Sequence, residues 1–345
     1  MILRMPEYCS KFICTADRCT DNCCIGWEID IDEKSLEYYE SVEGDFGEKL
    51  KNNISGENPA CFVLGKDERC PFLNENNLCE IYIKLGEDKL CDICTEHPRY
   101  YEWFDGVKEG GTGLGCEESA RIILSQDKPF SYTETEIEYE SCSDYDQELF
   151  HCLEKARSKI INYLQDRKNP FMQRLSDILR YAYDLQYRTD NGSYDVPEII
   201  EKTGEMKLDI QKFCELFGSL EMLDKNRKKY INQCLQLFSK TGIDEKVFND
   251  NCPDSERYLE NIAVYFIWRH FMKGVFEGEF FSKVFFMAAG CVFIEFLAKC
   301  CYIEKGTTHL EDYVFIAKEF SKEIEYSEYN LEKVMDAAYE EGYFK

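Results

Sequence analysis

The chain has 345 residues, 19 of them cysteine, and its 67 acidic against 41 basic side chains leave a formal net charge of −26. That charge repels nucleic acid and anionic membrane surfaces and favours cationic partners, while the length allows two domains or one domain with a helical extension. The start, Met1 to Glu7, holds no apolar run long enough for an export signal, so a cytoplasmic, reducing location is expected. In that setting disulfides are not expected, and an odd number of cysteines cannot pair completely within one chain.

Four thiols, Cys14, Cys19, Cys23 and Cys24, fall within eleven residues near the amino terminus. The alternation of Trp27, Ile29 and Ile31 with Glu28, Asp30 and Asp32 is that of a strand, and Asp32 is placed to cap a following helix. Cys70 and Cys79 flank an Asn-rich turn, and Gly86 ends a short helix. Cys91 and Cys94 have the spacing of a zinc knuckle, a hairpin is predicted about Asp105-Gly106, and a helix begins near Cys116.

From about residue 145 the texture changes to apolar residues at helical spacing. Helices are predicted over about 146–167, 171–188, 208–239, 280–303, 309–325 and 329–341, with a further apolar stripe from Leu259 to His270. Val284 to Ile294 is eleven apolar residues, followed by Glu295 and Lys299, so it reads as a buried core helix and not as a membrane span. The expected fold is mainly α: an irregular cysteine-rich domain with short strands over 1–140, then an all-helical domain over 141–345.

Several thiolates converging on one point need a soft cation to offset their repulsion, so Cys14, Cys19, Cys23, Cys24, Cys70, Cys79, Cys91, Cys94 and Cys116 form the candidate metal set. An adjacent pair such as Cys23-Cys24 suits an iron–sulfur cluster, 4Fe-4S in type, better than a single zinc; zinc and plain buried thiols stay open as alternatives. The three-cysteine spacing common in radical enzymes is not met, because Gly26 stands where the third thiol would be. His97, three residues after Cys94, is the histidine within reach of such a site, and His270 on the apolar stripe reads as a core residue.

Arg99 is a candidate for holding an anionic cofactor group such as a carboxylate, with a salt bridge as the alternative. Gly110 to Gly115 lacks the βαβ context of a nucleotide-binding loop and reads as a flexible approach to Cys116. The aromatic pairs Tyr38-Tyr39, Tyr100-Tyr101 and Trp103-Phe104 are candidates for an alkylammonium channel or, more often, for core.

The ordered set Phe12, Cys14, Cys19, Cys23-Cys24, Gly26-Trp27, Ile29, Asp32, Cys70-Pro71-Phe72-Leu73-Asn74, Leu78-Cys79, Leu85-Gly86-Glu87, Leu90, Cys94 and Pro98-Arg99 resembles the flagellin lysine-N-methylases. Their cysteine-rich domain is described as zinc- or iron-chelating. Gly115 and Glu117 stand where the family commonly has Ser and Pro, and some members lack a cysteine at the position of Cys91. The resemblance covers about a third of the chain. It implies S-adenosylmethionine-dependent methyl transfer to lysines of flagellin, the subunit of the bacterial flagellum, with an iron–sulfur cluster associated and without nucleic acid or membrane. A non-catalytic zinc- or iron–sulfur-binding redox or interaction module is the alternative that the same cysteines would serve.

Overall fold

The computed structural model describes residues 1–26, 28–56, 58–138, 145–199, 209–222, 226–340 and 342–343. The chain is mainly α, as expected, and divides into two compact units. One comprises Met1–Lys11, Tyr101–Gly115 and Ser119–Lys345; the other comprises Phe12–Tyr100 with Cys116–Glu118. The change of texture near residue 140 does not coincide with this division, and residues 139–144 lie outside the described residues.

Four short strands, β1 (Ile2–Pro6), β2 (Arg99–Phe104), β3 (Val107–Thr112) and β4 (Tyr132–Glu136), form a sheet in the order β2-β3-β1-β4. The hairpin predicted at Asp105-Gly106 joins β2 to β3, with Gly106 at φ 73°, a conformation that suits glycine. β1 runs parallel to β3, with Arg4 opposite Glu109, and antiparallel to β4, with Arg4 opposite Glu134. The buried Glu109 carboxylate then accepts two hydrogen bonds from Arg157 of helix Gln147–Leu164, at 2.5 and 2.6 Å. The Arg157 guanidinium also lies 4.4 Å from the Trp268 ring centroid, and the Trp268 indole donates to the Gly110 carbonyl at 2.9 Å.

Helices Phe171–Asp190, Ser255–His270, Phe281–Lys305, Leu310–Phe320 and Glu328–Asp336 fall where the periodicity places them. The predicted helix over 208–239 forms as two, Ile210–Ser219 and Arg227–Thr241; residues 208 and 223–225 lie outside the described ones. Glu245–Asn251 is a helix that the apolar pattern did not show, started by the Asp244 carboxylate accepting from the Lys246 and Val247 amides. Ile29 and Ile31 are buried as their alternation requires, yet Asp30 makes only an isolated bridge to Cys61 and no strand forms; Trp27 lies outside the described residues.

Helix Phe281–Lys305 is apolar on nearly every side and is surrounded by helices 171–190, 210–219, 227–241, 255–270, 310–320 and 328–336. By length and composition it is the one helix among the described residues able to cross a membrane, but 94% of its most apolar window is buried within the protein. Phe293 stacks on Phe217 at 4.2 Å between ring centroids. Gly290 leaves room for the rings of Phe266 and Phe320, which a Cβ would approach to 3.2 and 3.0 Å.

After Phe320 the helix widens into one π turn, Ser321–Glu325, which carries the fully buried Glu325 carboxylate inward. That carboxylate accepts from the Tyr265 hydroxyl at 2.9 Å, His270 Nε2 at 2.8 Å and Ser321 Oγ at 2.5 Å, and lies 3.3 Å from Arg269 Nε. Burial would raise its pKa, but the Arg269 charge and the His270 and Ser321 hydrogen bonds hold it down to about 2. Burial lowers His270 to about 4, so at neutral pH its imidazole is uncharged and Arg269 balances Glu325.

Two expectations follow. Phe293→Ala lowers the unfolding free energy by about 3–5 kcal/mol in urea titrations, and Phe293→Asp abolishes cooperative folding, because neither cavity nor charge is compensated there. Both His270 and Glu325 have folded pKa values below their unfolded ones, so unfolding takes up protons on acidification. Stability therefore falls from about pH 6.5 to about pH 4 through His270, and further toward about pH 2 through Glu325, each on the order of 3 kcal/mol. In denaturant titrations across this range, His270→Gln should flatten the upper part of the fall and leave the lower part.

Candidate metal centre

The second compact unit is built on short elements between cysteines. Its apolar centre gathers Ile29, Ile31, Tyr39, Leu50, Phe62, Phe72, Leu73 and Ile81, and the thiols Cys70 and Cys91 are buried in the same cluster. Cys24, Cys79 and Cys94 pack against it from partly buried positions. Backbone bonds bring the segments together: the Cys70 amide donates to the Cys24 carbonyl at 2.9 Å, and Leu73 bridges Cys79. Asp32 does more than its sequence position foretold. One oxygen caps helix Glu33–Ser41 through the Ser35 amide, and the other accepts the Asp92 amide at the start of helix Asp92–Glu96, both at 2.9 Å.

Two pairs of thiols are joined by hydrogen bonds within this unit. Cys24 donates to Cys23, which holds the Cys23 pKa down to about 4 with help from His97 and raises Cys24. Cys94 donates to Cys91, lowering Cys91 and raising Cys94. In each pair the thiol that receives the hydrogen bond is held down and the one that donates it is raised. Burial pushes Cys70 up to about 11 and also raises Cys79, with backbone amides opposing at both. Electrostatic coupling joins Cys24 to Cys70 and Cys79, Cys94 to Cys24 and Cys70, and Cys79 to Cys23, so these six thiols share one region with His97 beside them.

Of the remaining predicted residues, Cys19 also feels the charge of Cys23. Cys14 is exposed. Cys19 is half-buried, raised by burial, and its Sγ faces the Glu117 carboxylate at 3.9 Å. Cys116 is half-buried. Among the described residues, no three His, Cys, Asp or Glu side chains already converge at metal-ligand distances. The donor chemistry fits a thiolate-held metal or cluster, since the six neighbouring thiols exceed the four that either zinc or a 4Fe-4S cluster takes; the side chains are drawn together as hydrogen-bonded pairs.

Arg99 lies 5.6 Å from the Phe12 ring centroid and has no salt bridge among the described residues, so the alternative of a structural ion pair is not realised. The glycine-rich segment is not a flexible loop throughout: Gly110 to Thr112 complete β3. A Cβ at Gly110 would meet Met5 and Tyr101 at 2.4 and 2.8 Å, and one at Gly113 would meet the Tyr326 hydroxyl at 2.0 Å, so close side chains require these glycines. Of the aromatic pairs, Tyr39 and Phe104 are core, while Tyr101 and Trp103 hold the chain's own Lys108 ammonium at 3.9 and 4.8 Å. His270 is a buried core histidine, as its stripe implied, but its partner Glu325 was not foreseen; no local spacing links the two.

Residues 157–345 match the family described as FliB lysine N-methylase C-terminal domain. Curated relatives include a lysine-N-methylase of Salmonella typhimurium (strain LT2), 28% identical over 142 residues, which are 38% of this chain and 35% of that protein. A lysine-N-methylase of Salmonella choleraesuis matches with the same identity and coverage. The flagellar biosynthetic protein FliU of Salmonella muenchen is 29% identical over 130 residues, 35% of this chain and 75% of that protein. The matched part thus spans about a third of the length of the two lysine-N-methylases. No solved structure matches. With more than half of its length inside the family's own pattern, the chain belongs to the FliB lysine N-methylase family.

Proposed function

We propose that the chain is an S-adenosylmethionine-dependent protein-lysine N-methyltransferase acting on flagellin, with an iron–sulfur cluster held by cysteines of the second compact unit. The observation that carries the reading is the family membership of residues 157–345; the names of the curated relatives support the lysine and flagellar parts of it. S-adenosylmethionine supplies the methyl group as a sulfonium. The lysine ε-amine must first lose its proton, from a solution pKa of about 10.4, before its lone pair can take the methyl carbon as the sulfur–carbon bond breaks. The net charge of −26 favours the approach of a cationic side chain.

The proposed ligands are drawn from Cys23, Cys24, Cys70, Cys79, Cys91 and Cys94, with Cys14, Cys19 and Cys116 as the further sequence candidates. The two hydrogen-bonded pairs would give up their shared protons as a cation takes their place. Arg99, which has no ion pair among the described residues, is the proposed partner for the cofactor's carboxylate.

Protein purified without oxygen should be brown, with iron and acid-labile sulfide in comparable amounts; colourless protein with stoichiometric zinc would overturn the cluster. Cys23→Ser, Cys24→Ser and Cys91→Ser should each empty the site, whereas Cys214→Ser should leave metal content unchanged. Incubation with labelled S-adenosylmethionine and unmethylated flagellin should place label on lysine and release S-adenosylhomocysteine. No transfer by metal-replete protein, together with no cofactor binding in calorimetry, would favour the non-catalytic metal module. Arg99→Gln should weaken cofactor binding about tenfold or more, the size of a lost charge-assisted contact.

A further inference from the structure

Three cysteines outside the candidate metal set meet within the helical unit. Cys214 stands on helix Ile210–Ser219, Cys234 on helix Arg227–Thr241 and Cys300 on helix Phe281–Lys305, three helices that pack on one another. All three are buried, and each is a free thiol. The Cys300 Sγ lies 3.6 Å from the Cys234 carbonyl oxygen, and its proton also reaches the Cys234 sulfur as a hydrogen bond. Two cysteines facing each other across a helix interface, with their sulfurs in contact, are what a disulfide requires.

The pair differs from other buried thiols of this unit. The Cys291 thiol donates to the Leu259 carbonyl at 3.8 Å and burial pushes it up, the condition of an inert core thiol. Burial also pushes Cys214 up to about 12. Cys234 receives hydrogen bonds at its sulfur from Cys300 and from the Tyr230 hydroxyl. These hold it below its ordinary value, although burial and the Glu304 charge oppose them. Cys300, as the donor, is raised. One sulfur is thus favoured as the thiolate, the attacking form, and its neighbour keeps a proton.

Tyr230, 37% exposed, also lines a cavity of about 350 Å³ together with Ile231, Leu297 and Cys301. Ile231 and Leu297 lie one helical turn before Cys234 and Cys300, and Cys301 follows Cys300 directly, so the cavity and the thiol pair adjoin. The space is ample for a molecule the size of two waters.

We propose that Cys234 and Cys300 form an oxidation site, at which hydrogen peroxide entering past Tyr230 converts the two thiols into one disulfide. The Cys234 thiolate attacks one peroxide oxygen and the O–O bond breaks, leaving a sulfenic acid and a hydroxide that takes up the proton Cys234 had released. The Cys300 sulfur then attacks the Cys234 sulfur. The S–S bond forms, and the sulfenic hydroxyl leaves with the Cys300 proton as a second water. Two electrons pass from the sulfurs to the peroxide. The bond ties helix Arg227–Thr241 to the central helix, and a dithiol reductant releases it.

The test uses the folded full chain, treated with excess hydrogen peroxide, quenched in acid, alkylated in denaturant and digested with trypsin. Peptides 230–240 and 300–305 should appear joined, two hydrogens lighter than their sum, and dithiothreitol should separate them. Fragment ions should place the link on Cys300 and not on Cys301. Cys214→Ser should link at the wild-type rate, and Tyr230→Phe about tenfold more slowly, since the thiolate loses a donor. Recovery of Cys234 and Cys300 as alkylated thiols, or of Cys234 as a sulfinic acid without a link, overturns the proposal. So does a link from Cys234 to Cys214, or a link to Cys300 that forms only when the chain is unfolded before oxidation. An unchanged rate in Tyr230→Phe overturns the part given to Tyr230.

Discussion

The helix Phe281–Lys305 has no broad polar face to turn toward water, so the chain must supply apolar partners around most of its circumference. Six other helices do so, and much of the helical unit follows from that demand. Charges within the helix are tolerated where they find partners near its ends. Lys283 reaches Glu277 at 2.5 Å, and Lys299 lies between Glu245 and Glu295 at 2.8 and 3.2 Å.

The helical unit was largely legible in the sequence because its core is periodic. Stripes such as Leu259, Ile262, Phe266 and His270 are local signals, and the helices fall where they predict. What was not legible depends on residues far apart in the chain. Glu325 is held by Tyr265, Arg269 and His270, and the Tyr265 hydroxyl also receives the Leu114 amide at 3.2 Å. Nothing near Glu325 in sequence announces that set, and the π turn that aims it inward looks like ordinary helix in the pattern. Of the sheet only the β2–β3 hairpin was legible; β1 pairs with β3 across about a hundred residues, and β4 is exposed along its whole length.

The thiols were visible at once, but their grouping was not. Cysteine density marks the segment without saying that Cys23-Cys24 and Cys91 with Cys94 become hydrogen-bonded pairs, or that Cys23 and Cys14 are exposed while Cys91 is buried. The pairing has a plain electrostatic reason. Neighbouring thiolates would repel one another strongly, and a hydrogen bond within each pair favours the thiolate of one member and the thiol of the other. A soft cation placed among them changes that balance, and its binding becomes proton release as much as ligation.

The ion pair between Arg157 and Glu109 bears on where one module ends and another begins. The family pattern starts at Arg157, whose buried guanidinium is neutralised by a carboxylate of β3, forty-eight residues upstream. Trp268, well inside the pattern, likewise donates its indole proton to Gly110 of that strand. The segment that recurs among relatives is therefore not physically self-sufficient. A relative that carried it alone would expose the Trp268 face and strand a positive charge in an apolar wall. In this chain the matched pattern is thus smaller than the unit that satisfies its own buried polar groups.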